Sequence, residues 1–173
     1  VDCYPAIRKD LYFVMDDSWD IPKDVNDSPN PYLGCVELSS DRFPSFRGDA
    51  VERLKQLSEQ IKSKGWKGVG GWICAQKAET HAAIPEEEYW KQRIKAANAA
   101  GFDYWKVDWG KEDRNGEWRR KLTAIGKRYA PHLYIEHALR NEFIEFSDVF
   151  RTYDVENITA QPITIRRICD LLP

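Results

Sequence analysis

The chain has 173 residues, 42% of them apolar and 13% aromatic, which suffices for a single domain with a real core and excludes an intrinsically disordered segment. The net charge of −2, with 26 basic residues scattered among 28 acidic ones, leaves no positive face for nucleic acid or an anionic membrane. No apolar run approaches the length of a membrane span, and the N-terminal VDCYPAIRKD has neither an initiator methionine nor a signal-peptide core.

LYFVMD (11–16) predicts a first strand, followed by a long loop broken by Pro22, Pro29, Pro31 and Pro44. Asp49 opens a helix with Glu52 three residues on, as in a capping box; Val51, Leu54, Leu57 and Ile61 form its apolar face and Gly65 ends it. KGVGGWICA (67–75) reads as the second strand, with glycines that let bulky neighbours pack rather than cradle a phosphate. Pro85 starts a helix faced by Tyr89, Trp90, Ile94 and Ala97, and Gly101 closes it. In GFDYWKVDWG (101–110), strand alternation sends Tyr104, Lys106 and Asp108 to one face and Trp105, Val107 and Trp109 to the other. Trp118, Leu122, Ile125 and Tyr129 mark a third helix, and HLYIEH (132–137) a fourth strand after Pro131. Residues 139–147 read as a short helical or irregular piece, DVFRTYD (148–154) as a fifth strand, and Pro162 precedes a closing helix with Ile163, Ile168 and Leu171.

Strands alternating with helices predict one α/β domain over residues 1–173, with parallel strands covered by helices: either a (β/α) barrel or an open doubly wound sheet. No GxGxxG follows the first strand, so the dinucleotide-binding version loses its main support and the barrel is preferred. A complete (β/α)8 TIM barrel takes on the order of 200 to 250 residues. Five units therefore predict a partial barrel, a fragment of a longer chain.

A barrel carries its chemistry at the C-terminal ends of its strands. Those ends hold Asp16, Asp17 and Trp19, then Trp72 and Cys74, then Lys106 and Asp108, then Glu136 and His137, then Arg151, Asp154 and Glu156. Each carboxylate alone could cap a following helix, and Lys106 and Asp108 could simply pair. Four acidic ends converging on one mouth favour a ligand, because crowded carboxylates repel. Divalent-metal catalysis and glycoside hydrolysis both use such a set. A lysine beside Asp108 competes with a cation but favours an ionised nucleophile, and Trp19, Trp72 and Trp109 offer faces for a pyranose ring, with core packing the alternative expected for at least one of them. Cys3, Cys35, Cys74, Cys169 and the three histidines show no zinc-ligand spacing.

The ordered set FVMDDSWD (13–20), LKQLSEQIKSKGWKGVGGWI (54–73), GFDYWKVDWG (101–110), YIEHA (134–138) and VFRTYDVENI (149–158) resembles the α-galactosidase group of retaining glycoside hydrolases, clan D. The resemblance implies hydrolysis of terminal α-galactosides, or closely related glycosides, by double displacement without metal or organic cofactor, on an oligosaccharide or polysaccharide. It implies Asp108 as nucleophile, Lys106 as a ligand of the sugar hydroxyls, Asp16 and Asp17 as binders of the hydroxyls far from the scissile bond, Glu136 near the 2-hydroxyl and Arg151 near the acid/base. Asp154 would be that acid/base, with Glu156 as the competing candidate. GGWICA stands where the family commonly has Tyr- or Glu-bearing ends, which leaves the sugar open, N-acetylgalactosamine and β-L-arabinopyranose being the alternatives. The family's first strand, last two strands and C-terminal β-sandwich have no counterpart, so the fragment alone is expected to be inactive. A carbohydrate-binding relative without turnover is the alternative from another class, and the resemblance points to a periplasmic or extracellular home.

Overall fold

The structure is a computed structural model that describes residues 6–25, 29–138 and 141–149. Among the described residues, three α-helices form where apolar spacing and end signals agree. α1 (Ala50–Ser63) opens on the expected capping box: the Glu52 N–H donates to Asp49 Oδ1 and the Asp49 N–H to Glu52 Oε2, both at 2.9 Å. It buries Leu54, Leu57 and Ile61, and Gly65 follows it at φ 87°. α2 (Glu86–Ala99) has three glutamates in its first turn, where the helix dipole favours them, and buries Tyr89, Trp90, Arg93, Ile94 and Ala97. α3 (Gly116–Tyr129) is capped by Asn115, which accepts from the Trp118 N–H at 3.0 Å, and has Lys127 and Arg128 in its last turn.

The strands are β1 (Tyr12–Met15), β2 (Gly68–Ile73), β3 (Tyr104–Val107) and β4 (Tyr134–His137), all parallel and paired in the order β1-β2-β3-β4. An isolated parallel bridge joins Glu136 to Val149, within the stretch expected as a strand over 148–154. A 3-10 turn, Asn141–Phe146, fills the irregular piece before it. The remainder of that strand and the closing helix expected after Pro162 lie outside the described residues.

The sequential order decides between the two architectures left open above. Right-handed crossovers between successive neighbours put every helix on the same side of a sheet, whereas a doubly wound sheet must reverse its order at a switch point. Residues of α1, α2 and α3 accordingly share one core with Met15, Val69, Ile73, Trp105, Val107 and Ile135 from the strands. The chain is therefore an arc of consecutive β/α units of the (β/α)8 type.

The opposite strand face is layered by register. Tyr104 lies level with Gly70 and Tyr134, and Lys106 level with Trp72 and Glu136. Room for the tyrosines comes from the glycines of β2: a Cβ on Gly68 would stand 2.7 Å from the Tyr12 ring, and one on Gly70 2.3 Å from the Tyr104 carbonyl oxygen. This is the packing role expected of KGVGGW. Where the chain re-enters the sheet, one device occurs twice. Asp103 accepts from the Val69 N–H at 3.0 Å and pairs with Lys62 of α1 at 2.8 Å; Asp148 accepts from the Ile135 N–H at 2.9 Å and pairs with Lys127 of α3.

One alternation expectation fails. β3 ends at Val107, so Trp109 does not join Trp105 on the helix side; it packs with Trp72, Leu33 and Cys74. Gly110, at φ 150°, lies so close to Ala75 that a Cβ there would stand 2.6 Å from the Ala75 carbonyl oxygen. So close an approach of two backbones leaves room only for glycine.

Candidate active site

The strand ends bring together five of the expected residues. Asp16 follows the last residue of β1, Trp72 is on β2, Lys106 is on β3 with Asp108 just past its end, and Glu136 is on β4. Lys106 Nζ is 3.0 Å from Asp16 Oδ1 and 3.9 Å from Asp108 Oδ2. The firm ion pair is thus with Asp16, across 90 positions of sequence, rather than with its neighbour Asp108. Asp16 is 77% exposed at its side chain and Asp108 only 12%, so the ammonium joins a solvated carboxylate to a sheltered one.

Asp108 is held from a second side by the Trp72 indole N–H, which donates to its Oδ2 at 3.2 Å. Its own backbone N–H donates to the Ile73 carbonyl at 3.0 Å. Glu136 is buried and accepts from the Tyr104 hydroxyl at 2.6 Å, a charge-assisted bond that fixes the carboxylate beside the Lys106 level. Asp17 is exposed next to Ser18, whose hydroxyl donates to it at 3.4 Å. Arg151, Asp154 and Glu156 lie outside the described residues.

Two aromatic expectations need correcting. Trp19 is 3% exposed: its indole N–H donates to the Trp72 carbonyl at 2.7 Å, and its ring lies against the space left by Gly71, so it belongs to the core. Trp72 is also covered, 2% exposed, with its ring 5.3 Å from that of Trp109. It reaches the site through its N–H, not as an open stacking face. Half-buried Trp109 is the more accessible of the pair.

Asp20, in the same DDSWD run, is a buried carboxyl that sequence reasoning passed over. It accepts from the Val36 N–H at 2.8 Å, and burial, with a smaller push from Asp17, raises its pKa to about 7. Burial likewise pushes the Cys35 thiol up to about 12 and raises Cys74, on which the charges of Asp20, Asp17 and Asp108 also bear. Neither thiol is a nucleophile at neutral pH. The loop carrying Asp20 is stitched to the helices: the Tyr89 hydroxyl donates to the Gly34 carbonyl at 2.6 Å, Arg93 pairs with Glu37, and Arg53 donates to the Leu38 carbonyl at 3.2 Å.

His137, read as a strand-end candidate, points to the helix side, where it meets Arg119 and Thr123 of α3. Arg119 is fully buried and was not expected. The available signal was an arginine next to Trp118 on the helix face that also carries Leu122, Thr123 and Gly126. A groove of about 590 Å³ lies between α2 and α3, lined by Glu86, Trp90, Trp118 and Tyr129 among others. It belongs to the helix layer and shares no residue with the strand-end carboxylates.

The arrangement can present one sheltered carboxylate to an electrophile while an ammonium, an indole N–H and two further carboxylates stand ready for hydroxyl groups. The space between Asp16 and Asp108 where a cation would bind is filled by the Lys106 ammonium. Among the described residues no helix is long and apolar enough to cross a membrane.

No family model and no curated protein matches the chain. Among solved structures it is similar to a cyclomaltodextrinase, with a TM-score of 0.45 and 12% sequence identity. The similarity covers 86% of this chain and 43% of that one, so the chain spans less than half the length of that neighbour.

Proposed function

We propose that the chain is part of the catalytic barrel of a retaining glycosidase acting on terminal α-galactosides or a closely related sugar. The observation that carries this reading is the Lys106 ammonium set between Asp16 and Asp108, with the Trp72 N–H on the same Asp108 oxygen. The ammonium and the indole N–H together orient the carboxylate that would attack, through its Oδ2. Lys106 and Asp16 would bind adjacent sugar hydroxyls as donor and acceptor.

The reaction runs in two steps. The Asp108 carboxylate bonds to the anomeric carbon as the glycosidic C–O bond breaks, and the acid/base proton passes to the leaving oxygen; Asp154 fills that role, with Glu156 as its competitor. Water then adds its oxygen to the anomeric carbon, gives its proton to the acid/base and frees Asp108.

The test is exposure of the full-length chain to an activated fluorinated α-galactoside, followed by peptide mapping. A glycosyl label on the peptide carrying Asp108 is the expected result. An unlabelled but folded protein would shift the reading to another sugar or to carbohydrate binding without turnover. Asp108→Asn should lower kcat by roughly 10³-fold or more without loss of fold.

A further inference from the structure

A buried guanidinium holds the main chain that carries the candidate nucleophile. Arg119 has 0% exposure. Its Nη1 donates to the Val107 carbonyl at 3.0 Å, Nη2 to the Asp108 carbonyl at 2.5 Å and Nε to the Asp113 carbonyl at 3.0 Å. These three acceptors bracket the turn from the end of β3 to the approach of α3. The Asp108 N–H is fixed on the other side by the Ile73 carbonyl, so both peptide groups of this residue are anchored.

The arginine is itself oriented. Nη1 lies 3.3 Å from His137 Nδ1, and His137 Nε2 lies 2.8 Å from Thr123 Oγ1. Burial, and then the Arg119 charge, push the imidazole pKa down to about 3, so the ring is neutral at ordinary pH. A guanidinium only donates, so Nδ1 accepts and the ring proton sits on Nε2, directed at the Thr123 hydroxyl. The Phe143 ring covers the guanidinium at 4.8 Å. Burying a full charge is costly, and an apolar side chain would fill the space more cheaply if packing were all that mattered.

We infer that Arg119 is a positioning residue for Asp108: through the carbonyls of Val107, Asp108 and Asp113 it sets the approach of the carboxylate to the anomeric carbon. This rests on the reading of Asp108 as nucleophile. Arg119 touches neither the sugar nor the reacting atoms, so its loss should slow attack and leave binding alone.

The experiment compares Arg119→Lys and Thr123→Val with the wild-type full-length chain. It reads kcat and KM on an aryl α-galactoside and the rate of Asp108 labelling by the fluorinated trap, with a thermal melt as the folding check. Lysine keeps the charge but cannot span three carbonyls. The expected result for Arg119→Lys is a 10- to 100-fold slower labelling rate and kcat, roughly, with KM within about 2-fold. Thr123→Val, which frees the imidazole, should slow labelling about 3-fold, again with KM unchanged. Wild-type labelling in a folded Arg119→Lys protein overturns the inference. If that variant does not fold, wild-type labelling in Thr123→Val overturns it and slowed labelling supports it. Absence of label on Asp108 in the wild-type chain removes the nucleophile reading and this inference together, a result distinct from a labelled wild type with unaffected variants.

Discussion

At the scale of single residues, Asp108 shows how donors divide the work on one carboxylate. Trp72 gives a directed N–H at 3.2 Å, while Lys106, 3.9 Å away, gives charge without a hydrogen bond. These contributions separate by mutation. Trp72→Phe keeps most of the buried ring and removes only the N–H, so kcat should fall by about 10-fold with a change in melting temperature of no more than a few degrees. Lys106→Met removes the charge that also pairs with Asp16; kcat and KM should both worsen, because this ammonium is assigned to the sugar as well as to Asp108. Steady-state kinetics on an aryl α-galactoside distinguish the two. Equal kinetic defects in both variants would mean that the indole and the ammonium act as one structural unit.

At the scale of elements, the repeated clasp of Asp103 with Lys62 and Asp148 with Lys127 fastens a helix end to the start of the next strand. Asp103 offers a clean division, since asparagine can still accept from the Val69 N–H but loses the ion pair. Asp103→Asn should cost less than about 1 kcal/mol, and Asp103→Ala about 2 kcal/mol, because it leaves the Val69 N–H without its side-chain partner. Urea melts of the two variants measure this; equal costs would place the stabilisation in the ion pair instead. The elements themselves were legible because local signals agreed: capping box, apolar spacing and glycine stop all marked α1 before any contact was known. The clasp was not legible, since Asp103 and Val69 are 34 positions apart and only strand register brings them together. The same limit applies at the site. Alternation correctly put Lys106 on the polar face, yet its firm partner Asp16 comes from another strand, and Trp19 reads as an available aromatic until the Trp72 carbonyl claims its N–H. Sequence periodicity reports which face a side chain takes; the partner on that face is a tertiary fact.

For the whole molecule, two buried titrating groups pull stability in opposite directions as pH changes. Asp20 has its folded pKa raised to about 7 from 3.8, mainly by burial. Its contribution is therefore fully present below about pH 4 and is lost as pH rises through 7, because ionising it inside the fold is unfavourable. His137 has its folded pKa lowered to about 3 from 6.5 by burial and by Arg119, so its contribution is present above pH 6.5 and is lost as pH falls toward 3. Between pH 4 and 6.5 the two slopes oppose and nearly cancel, so net stability in that window should vary little with pH. Asp20→Asn removes one slope while its amide oxygen can still accept from the Val36 N–H. The variant should match the wild type near pH 4 and exceed it at pH 8, by on the order of 4 kcal/mol at most. Below pH 6.5 the variant should lose stability steadily, with the His137 slope now uncovered. Chemical melts at pH 4, 6 and 8 give both curves. A constant difference at all three values would mean that Asp20 keeps the same charge in folded and unfolded chains, and that the loop carrying it is held by its other bonds, those to Tyr89, Arg93 and Arg53.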